Sequence, residues 1–269
     1  MSYVFNHLDV IEGALRRSHF GLITDVDGTI SQTAPTPEQA EVTPLCRKYL
    51  SDLCNHLALI AAISGRSAVQ VKDMLNIDGM VYVGNHGLEW WRGDQVESPK
   101  DVRGYLAAIQ AAIETLAPLV SGEGIIIENK GLTASFHYRL SPDRESARQH
   151  ILAIIAQIPQ ARGLRVMPER MSVGLLPPVK VDKGTATLDL IHEYNLLGGV
   201  YLGDDLTDID AFRAIHTASH DLDFQGFALG VISQEMPEKL ADEADFTLDG
   251  VGDVEHFLNW LTQTVLELN

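Results

Sequence analysis

Four short apolar runs constrain this chain of 269 residues more than any other feature. They are FGLITDV (20–26), LALIAAIS (57–64), MVYVGN (80–85) and GVYLGDD (199–205). None alternates apolar with polar residues, as a strand with one wet face would. A continuous apolar run of this length is the mark of a strand buried on both faces, the condition of a parallel sheet covered by helices on each side. Helical segments separate the runs: a turn and helix over 36–56, a short helix over 67–76, and helices over 184–195 and 207–215. FALGVI (227–232) and DFTL (245–248) read as further strands, and 251–268 closes the chain as a helix. An α/β fold follows.

The middle of the chain has a different grammar. A helix over 105–120 leads to GIIIENKG (124–131) and LTASFHYRLS (132–141), which read as a hairpin. In the second strand Ala134, Phe136 and Tyr138 fall on one face, and Ser135, His137 and Arg139 on the other. A helix over 142–158 and two short strands, around LRVMPER and MSVGLLP, complete the segment. Strand pairs beside helices point to a separate α+β unit, residues 96–177, inserted between 1–95 and 178–269 of an outer α/β domain. The pair Pro177–Pro178 suits the return hinge.

Composition narrows the partners. A net charge of −17 disfavours nucleic acid and anionic membrane surfaces, and leaves room for an anionic substrate only where a few cations converge. No apolar stretch approaches the ~18 residues that span a bilayer, and the opening MSYVFNHLDVIEG lacks the apolar segment of a secretory signal. The two cysteines, Cys46 and Cys54, lie on one helix two turns apart and read as reduced thiols. These features together lead us to expect a cytoplasmic protein.

In open parallel sheets ligands bind beyond the carboxyl ends of the strands, so the residues that follow each apolar run carry the chemistry. Those residues are Asp25-Val-Asp27-Gly28-Thr29, Ser64-Gly65-Arg66, Gly84-Asn85-His86-Gly87, and Gly203-Asp204-Asp205 with Thr207-Asp208; Asp182-Lys183-Gly184 precedes a late helix. A lone DxD, GDD or SGR is commonly only a turn. Turns do not explain all of these at strand–helix junctions of one chain. Asp25 and Asp27, two apart on an extended segment, can face a common point. Two such carboxylates repel unless a divalent cation joins them. Asp25, Asp204 and either Asp205 or Asp208 offer the hard oxygens that suit Mg²⁺, and Asp27 is a further candidate ligand. Ser64, Gly65 and Lys183 supply a hydroxyl, backbone amides and a fixed charge for phosphate. Asp25 is then the nucleophile that forms an aspartyl phosphate, and Asp27 the acid and base of its two halves.

The order DVDGT, SGR, DKG, GDDLTD resembles the haloacid dehalogenase superfamily of aspartate-dependent phosphatases. GNHGLEW, ENKGLTASFHYR and YLGDDLTDIDAF resemble, more narrowly, its trehalose-6-phosphate phosphatase family, from about residue 20 onward. The resemblance implies a Rossmann-like parallel-sheet core with an inserted α+β cap, and Mg²⁺-dependent hydrolysis of trehalose 6-phosphate to trehalose and phosphate. It also implies a functional partnership with a trehalose-6-phosphate synthase. Carried over by motif, Glu128, Lys130, His137 and Arg139 contact the sugar from the cap; Arg66 and His86 are further substrate-binding candidates on the core. One position departs from the family pattern: Leu175 stands where a sugar-contacting glutamate is expected, with Glu169 six residues earlier as another source of a carboxylate. The alternatives are the same chemistry on another phosphorylated sugar or glycoside, and a catalytically idle phosphosugar-binding module. The idle module should have lost Asp25, Asp27 or Lys183, all of which are present. Trp90 and Trp91 read as packing between cap and core, His216 and His220 as surface histidines after a helix, and Asp242, Glu243 and Asp245 as a solvated acidic patch.

Overall fold

A computed structural model describes residues 2–17, 19–233 and 237–268. In chain order the strands are β1 (Ser2–Tyr3), β2 (Phe20–Thr24), β3 (Leu59–Ile63), β4 (Val81–Gly84), β5 (Glu89–Arg92), β6 (Gln95–Glu97), β7 (Ile126–Asn129), β8 (Ala134–His137), β9 (Arg165–Glu169), β10 (Ser172–Leu176), β11 (Gly198–Gly203), β12 (Gln225–Ile232) and β13 (Phe246–Asp249). The helices are α1 (Leu8–Leu15), α2 (Pro44–Leu53), α3 (Ala68–Leu75), α4 (Lys100–Arg103), α5 (Leu106–Val120), α6 (Arg144–Gln157), α7 (Lys183–Glu193), α8 (Asp208–Asp221), α9 (Glu238–Glu243) and α10 (Gly250–Leu268). The chain divides into two units, one running to residue 96 and resuming at 181, the other comprising 97–180.

In the first unit the strands run in the order β1-β13-β12-β11-β2-β3-β4-β5-β6. The pairs from β1 to β4 are parallel, and β5 turns back antiparallel on β4. Alternate residues of the central strands enter two different cores, which is why the runs are apolar throughout. Leu22, Ile60, Ala62, Val200 and Leu202 join a cluster with residues of α1, α2 and α10. Ile23, Ala61, Ile63 and Tyr201 join another with α7 and α8. Each fully buried Leu or Ile here contributes about 1.5–3 kcal/mol. Side-chain caps fix where the helices begin. Ser67 and Gln70 close a capping box on α3, and the Asp182 carboxylate accepts from Thr185 N (2.8 Å) at the start of α7.

Four features differ from the sequence expectation. The short β1, which pairs with β13, and the helix α1 were not foreseen. Trp90 and Trp91, expected to pack between cap and core, lie on β5, antiparallel to β4, and pack on the two cores of this unit. Helix α8 continues to Asp221, so His216 and His220 lie on it; they meet Asp245 and Asp221 respectively. Two acids of the patch are paired, Glu243 accepting from Arg213 and Asp245 from Ala228 N, while Asp242 is exposed. Cys46 and Cys54 are free thiols.

In the second unit β7-β8-β10-β9 form an antiparallel sheet. Ala134, Phe136, Val173 and Leu175 pack with residues of α5 and α6 on one face. Among the described residues no helix is long and apolar enough to cross a membrane.

Candidate active site

The carboxyl ends of β2 and β11 meet the start of α7, where Asp25, Asp204, Asp208 and Lys183 come together, and β3 ends on the neighbouring strand. Asp25 follows β2 and extends its ladder, its N–H bonding Leu202 O (2.8 Å). Ser64 follows β3, with its N–H on Val83 O (3.0 Å). Asp204 follows β11, and Lys183 is the first residue of α7, placed there by the Asp182 cap.

Lys183 Nζ donates to Asp25 Oδ1 (2.6 Å) and to Asp208 Oδ1 (2.7 Å). Asp25, Asp204 and Asp208 each offer a carboxylate oxygen within 4.8 Å of the others. Residue exposures are 5% for Asp25, 2% for Lys183, and 0% for Asp204 and Asp208. Burial raises the Asp25 pKa, the Lys183 charge opposes that rise, and the Asp208 charge adds to it. Burial alone would lower Lys183; Asp208 and Asp25 outweigh it and hold the ammonium firmly charged. Three buried carboxylates against one ammonium leave an excess of negative charge that burial makes costly. A hard divalent cation fits such an oxygen set.

Asp27 stands apart from this cluster. Arg66 grips it as a fork, Nε to Oδ2 at 2.6 Å and Nη2 to Oδ1 at 2.8 Å, and Nη2 also donates to Pro37 O (2.9 Å). Asp27 was expected beside Asp25 as a metal ligand; among the described residues the clustered carboxylates are Asp25, Asp204 and Asp208, and the Asp27 carboxylate sits in the Arg66 fork. Arg66, expected at the substrate, is bound to Asp27, the acid/base candidate. The segment after β4 holds the Ser64 loop. Asn85 N donates to Arg66 O (2.6 Å) and His86 N to Ser64 O (2.9 Å), while Glu89 accepts from Ala68 N (3.0 Å) at the head of α3. His86 has φ 58° and its ring lies on Gly65, where a Cβ would stand 2.7 Å from the ring. The structure thus places His86, expected as a substrate contact, against the Ser64–Gly65 loop.

The second unit carries its polar groups on the sheet face opposite α5 and α6. His137 Nε2 lies 2.9 Å from Glu128 Oε2, and Lys130 Nζ lies 3.6 Å from the same oxygen. Lys130 Nζ donates to Ser135 Oγ (2.8 Å), and Ser135 and Ser172 both donate to Glu169 Oε2 (2.7 and 2.8 Å). Pairing continues one residue past β8, with Tyr138 N donating to Met171 O (2.9 Å) and the Tyr138 ring in the helix-side core; the carbonyl of Arg139 accepts from Arg144 Nε (3.0 Å). Leu175 is fully buried in the helix-side core, so a glutamate at 175 would point away from the polar face. The position on that face is Gly174, and a Cβ there would stand 2.5 Å from Glu169 Oε1. Glu169, reaching across from β9, fills the space a side chain at 174 would take.

Sequence reasoning missed Tyr201. Its hydroxyl donates to Asp208 Oδ1 (2.8 Å) from the middle of an apolar strand, and nothing in the run GVYLG marks that hydroxyl as different from a core ring.

The fold is that of the haloacid-dehalogenase-like hydrolases, with the acidic cluster at the strand ends. The trehalose-phosphatase family model matches residues 23–249, and the chain belongs to that family. An uncharacterized glycosyl hydrolase of Mycobacterium tuberculosis is 32% identical over 207 residues, 71% of this chain and 15% of that protein. A trehalose-phosphate phosphatase of the same organism is 30% identical over 201 residues, 71% of this chain and 50% of its own length. The chain thus spans half or less of each of these curated relatives. The C-terminal domain of trehalose-6-phosphate phosphatase from C. albicans superposes with a TM-score of 0.78 at 16% identity, covering 96% of this chain and 97% of that one.

Proposed function

We propose that this chain is a Mg²⁺-dependent phosphatase that hydrolyses trehalose 6-phosphate to trehalose and inorganic phosphate through an aspartyl phosphate on Asp25. The observation that carries the reading is the buried set Asp25, Lys183, Asp204 and Asp208 at the strand ends, with Ser64 on the neighbouring loop. Family membership supports the reaction class.

Asp25 attacks phosphorus, and the bond from phosphorus to the sugar oxygen breaks. Asp27 gives that oxygen its proton. A water then attacks phosphorus, Asp27 takes the water's proton, and the Asp25 carboxylate leaves as phosphate forms. The Arg66 fork fixes the orientation of the Asp27 carboxylate. In the first half Asp27 must release an arm of the fork to carry a proton. Lys183 and the Ser64 loop hold the phosphoryl oxygens. Asp25 and Asp204 would hold the cation, which supplies charge neutralisation between carboxylate and phosphate when bound.

The polar face of the second unit supplies the sugar recognition in this reading. Glu128, Lys130, His137 and Glu169 alternate acceptors and donors, which suits vicinal hydroxyls, and Glu169 restores the carboxylate that Leu175 does not provide. The substrate is the product of a glycosyl transfer, the reaction of a trehalose-6-phosphate synthase. Phosphate release across a panel of sugar phosphates at fixed Mg²⁺ tests the assignment. Trehalose 6-phosphate should give the highest kcat/KM; a clear preference for another sugar phosphate would refute the substrate while leaving the chemistry.

A further inference from the structure

Asp208 has a partner for every lone pair. Oδ1 accepts from Lys183 Nζ (2.7 Å) and Tyr201 OH (2.8 Å), and Oδ2 accepts from Asp204 N (3.0 Å) and Asp205 N (2.9 Å). A carboxylate offers about four acceptor sites. All four are used, and the residue is wholly buried. The backbone has been shaped to seat it, because a Cβ at Gly203 would overlap the Asp208 carboxyl carbon. Asp25 is different: Lys183 occupies only Oδ1, and no side chain donates to Oδ2 among the described residues.

A direct bond from a cation to Asp208 would displace one of those four donors. It would leave an ammonium, a phenol or a backbone amide buried without its acceptor, a loss that one oxygen–metal contact from a third carboxylate does not need to incur. We propose that Asp208 is a positioning residue and not an inner-shell metal ligand. With Tyr201 it forms a buried anchor that fixes the Lys183 ammonium against Asp25 and holds the Asp204–Asp205 turn in register. This rests on the reading of Asp25 and Asp204 as the cation site, and it divides the acidic cluster into two ligands and one brace.

Mn²⁺ binding, followed by the electron paramagnetic resonance signal of the free ion, separates these roles in the intact chain. Asp204→Asn should weaken Mn²⁺ by about tenfold or more, whereas Asp208→Asn and Tyr201→Phe should stay within about threefold of wild type. Both should nevertheless lower kcat on trehalose 6-phosphate, by about ten- to a hundredfold, with KM moving less. Loss of Mn²⁺ affinity in Asp208→Asn equal to that in Asp204→Asn would overturn the proposal. Should Asp208→Asn fail to fold, Tyr201→Phe decides alone: unchanged Mn²⁺ affinity with reduced kcat supports the brace, and wild-type kcat overturns it. If wild type itself binds no Mn²⁺, the cation reading fails first and takes this inference with it.

Discussion

The two polar regions of the molecule put functional groups on a sheet in opposite ways. In the first unit both faces of the central strands are buried, so no catalytic group can sit within a strand without facing a core. Asp25, Ser64 and Asp204 each stand one residue past a strand end. In the second unit one face of the sheet packs on helices and the other is polar, so the groups are interleaved: Ser135 and His137 with Ala134 and Phe136, Ser172 and Gly174 with Val173 and Leu175. The first arrangement isolates a few charges in a dry place, where they act strongly on a reacting centre. The second spreads hydrogen-bonding groups over an area, which suits discrimination between substrates.

The comparison breaks most readily at Asp25. If the strand-end cluster carries the chemistry, Asp25→Asn should lower turnover on trehalose 6-phosphate by roughly four orders of magnitude or more, read by phosphate release. Asp27→Asn should cost less, about 10²–10⁴-fold, because positioning and charge stabilisation remain. A smaller effect is expected from the second unit. Glu169→Gln should lower the ratio of kcat/KM for trehalose 6-phosphate to that for an aryl phosphate by about tenfold to a hundredfold. Gly174→Ala should move the same ratio in the same direction by crowding Glu169. An equal fall on both substrates would assign Glu169 to folding and erase the contrast.

The smallest effect concerns the cysteines. Burial pushes the Cys46 thiol up to about 12 and the Cys54 thiol up to about 11. A raised folded pKa adds stability that is full below the unfolded thiol value of about 8.5 and is lost as pH rises through 11–12. Iodoacetamide at pH 8 should therefore label half-buried Cys54 slowly and Cys46 more slowly still, with mass spectrometry as the readout.

The same contrast explains what the sequence made legible. Strand-end residues interrupt apolar runs, so Asp25, Ser64, Asp204 and the capped Lys183 stand out as punctuation. Interleaved residues do not. Reading a period-two strand one position out of register moves every side chain to the other face. The family resemblance pointed to position 175, whereas the polar face bears Gly174 with Glu169 over it. Partnerships across the chain were equally hidden. Arg66 meets Asp27 from another loop, His86 packs on Gly65, and Tyr201 reaches Asp208 from inside an apolar run. Strands β1 and β5 were missed because each takes its place from a distant or antiparallel neighbour rather than from its own periodicity.

The central claim is that Asp25 takes the phosphoryl group. Acid-quenching the Mg²⁺-loaded protein during turnover of trehalose 6-phosphate and digesting it for mass spectrometry tests this directly. The peptide containing Asp25 should carry an added phosphoryl mass that is absent without Mg²⁺ and absent in Asp25→Asn. Phosphate release at full rate with that peptide unmodified at every quench time, and with Asp25→Asn still active, would contradict it.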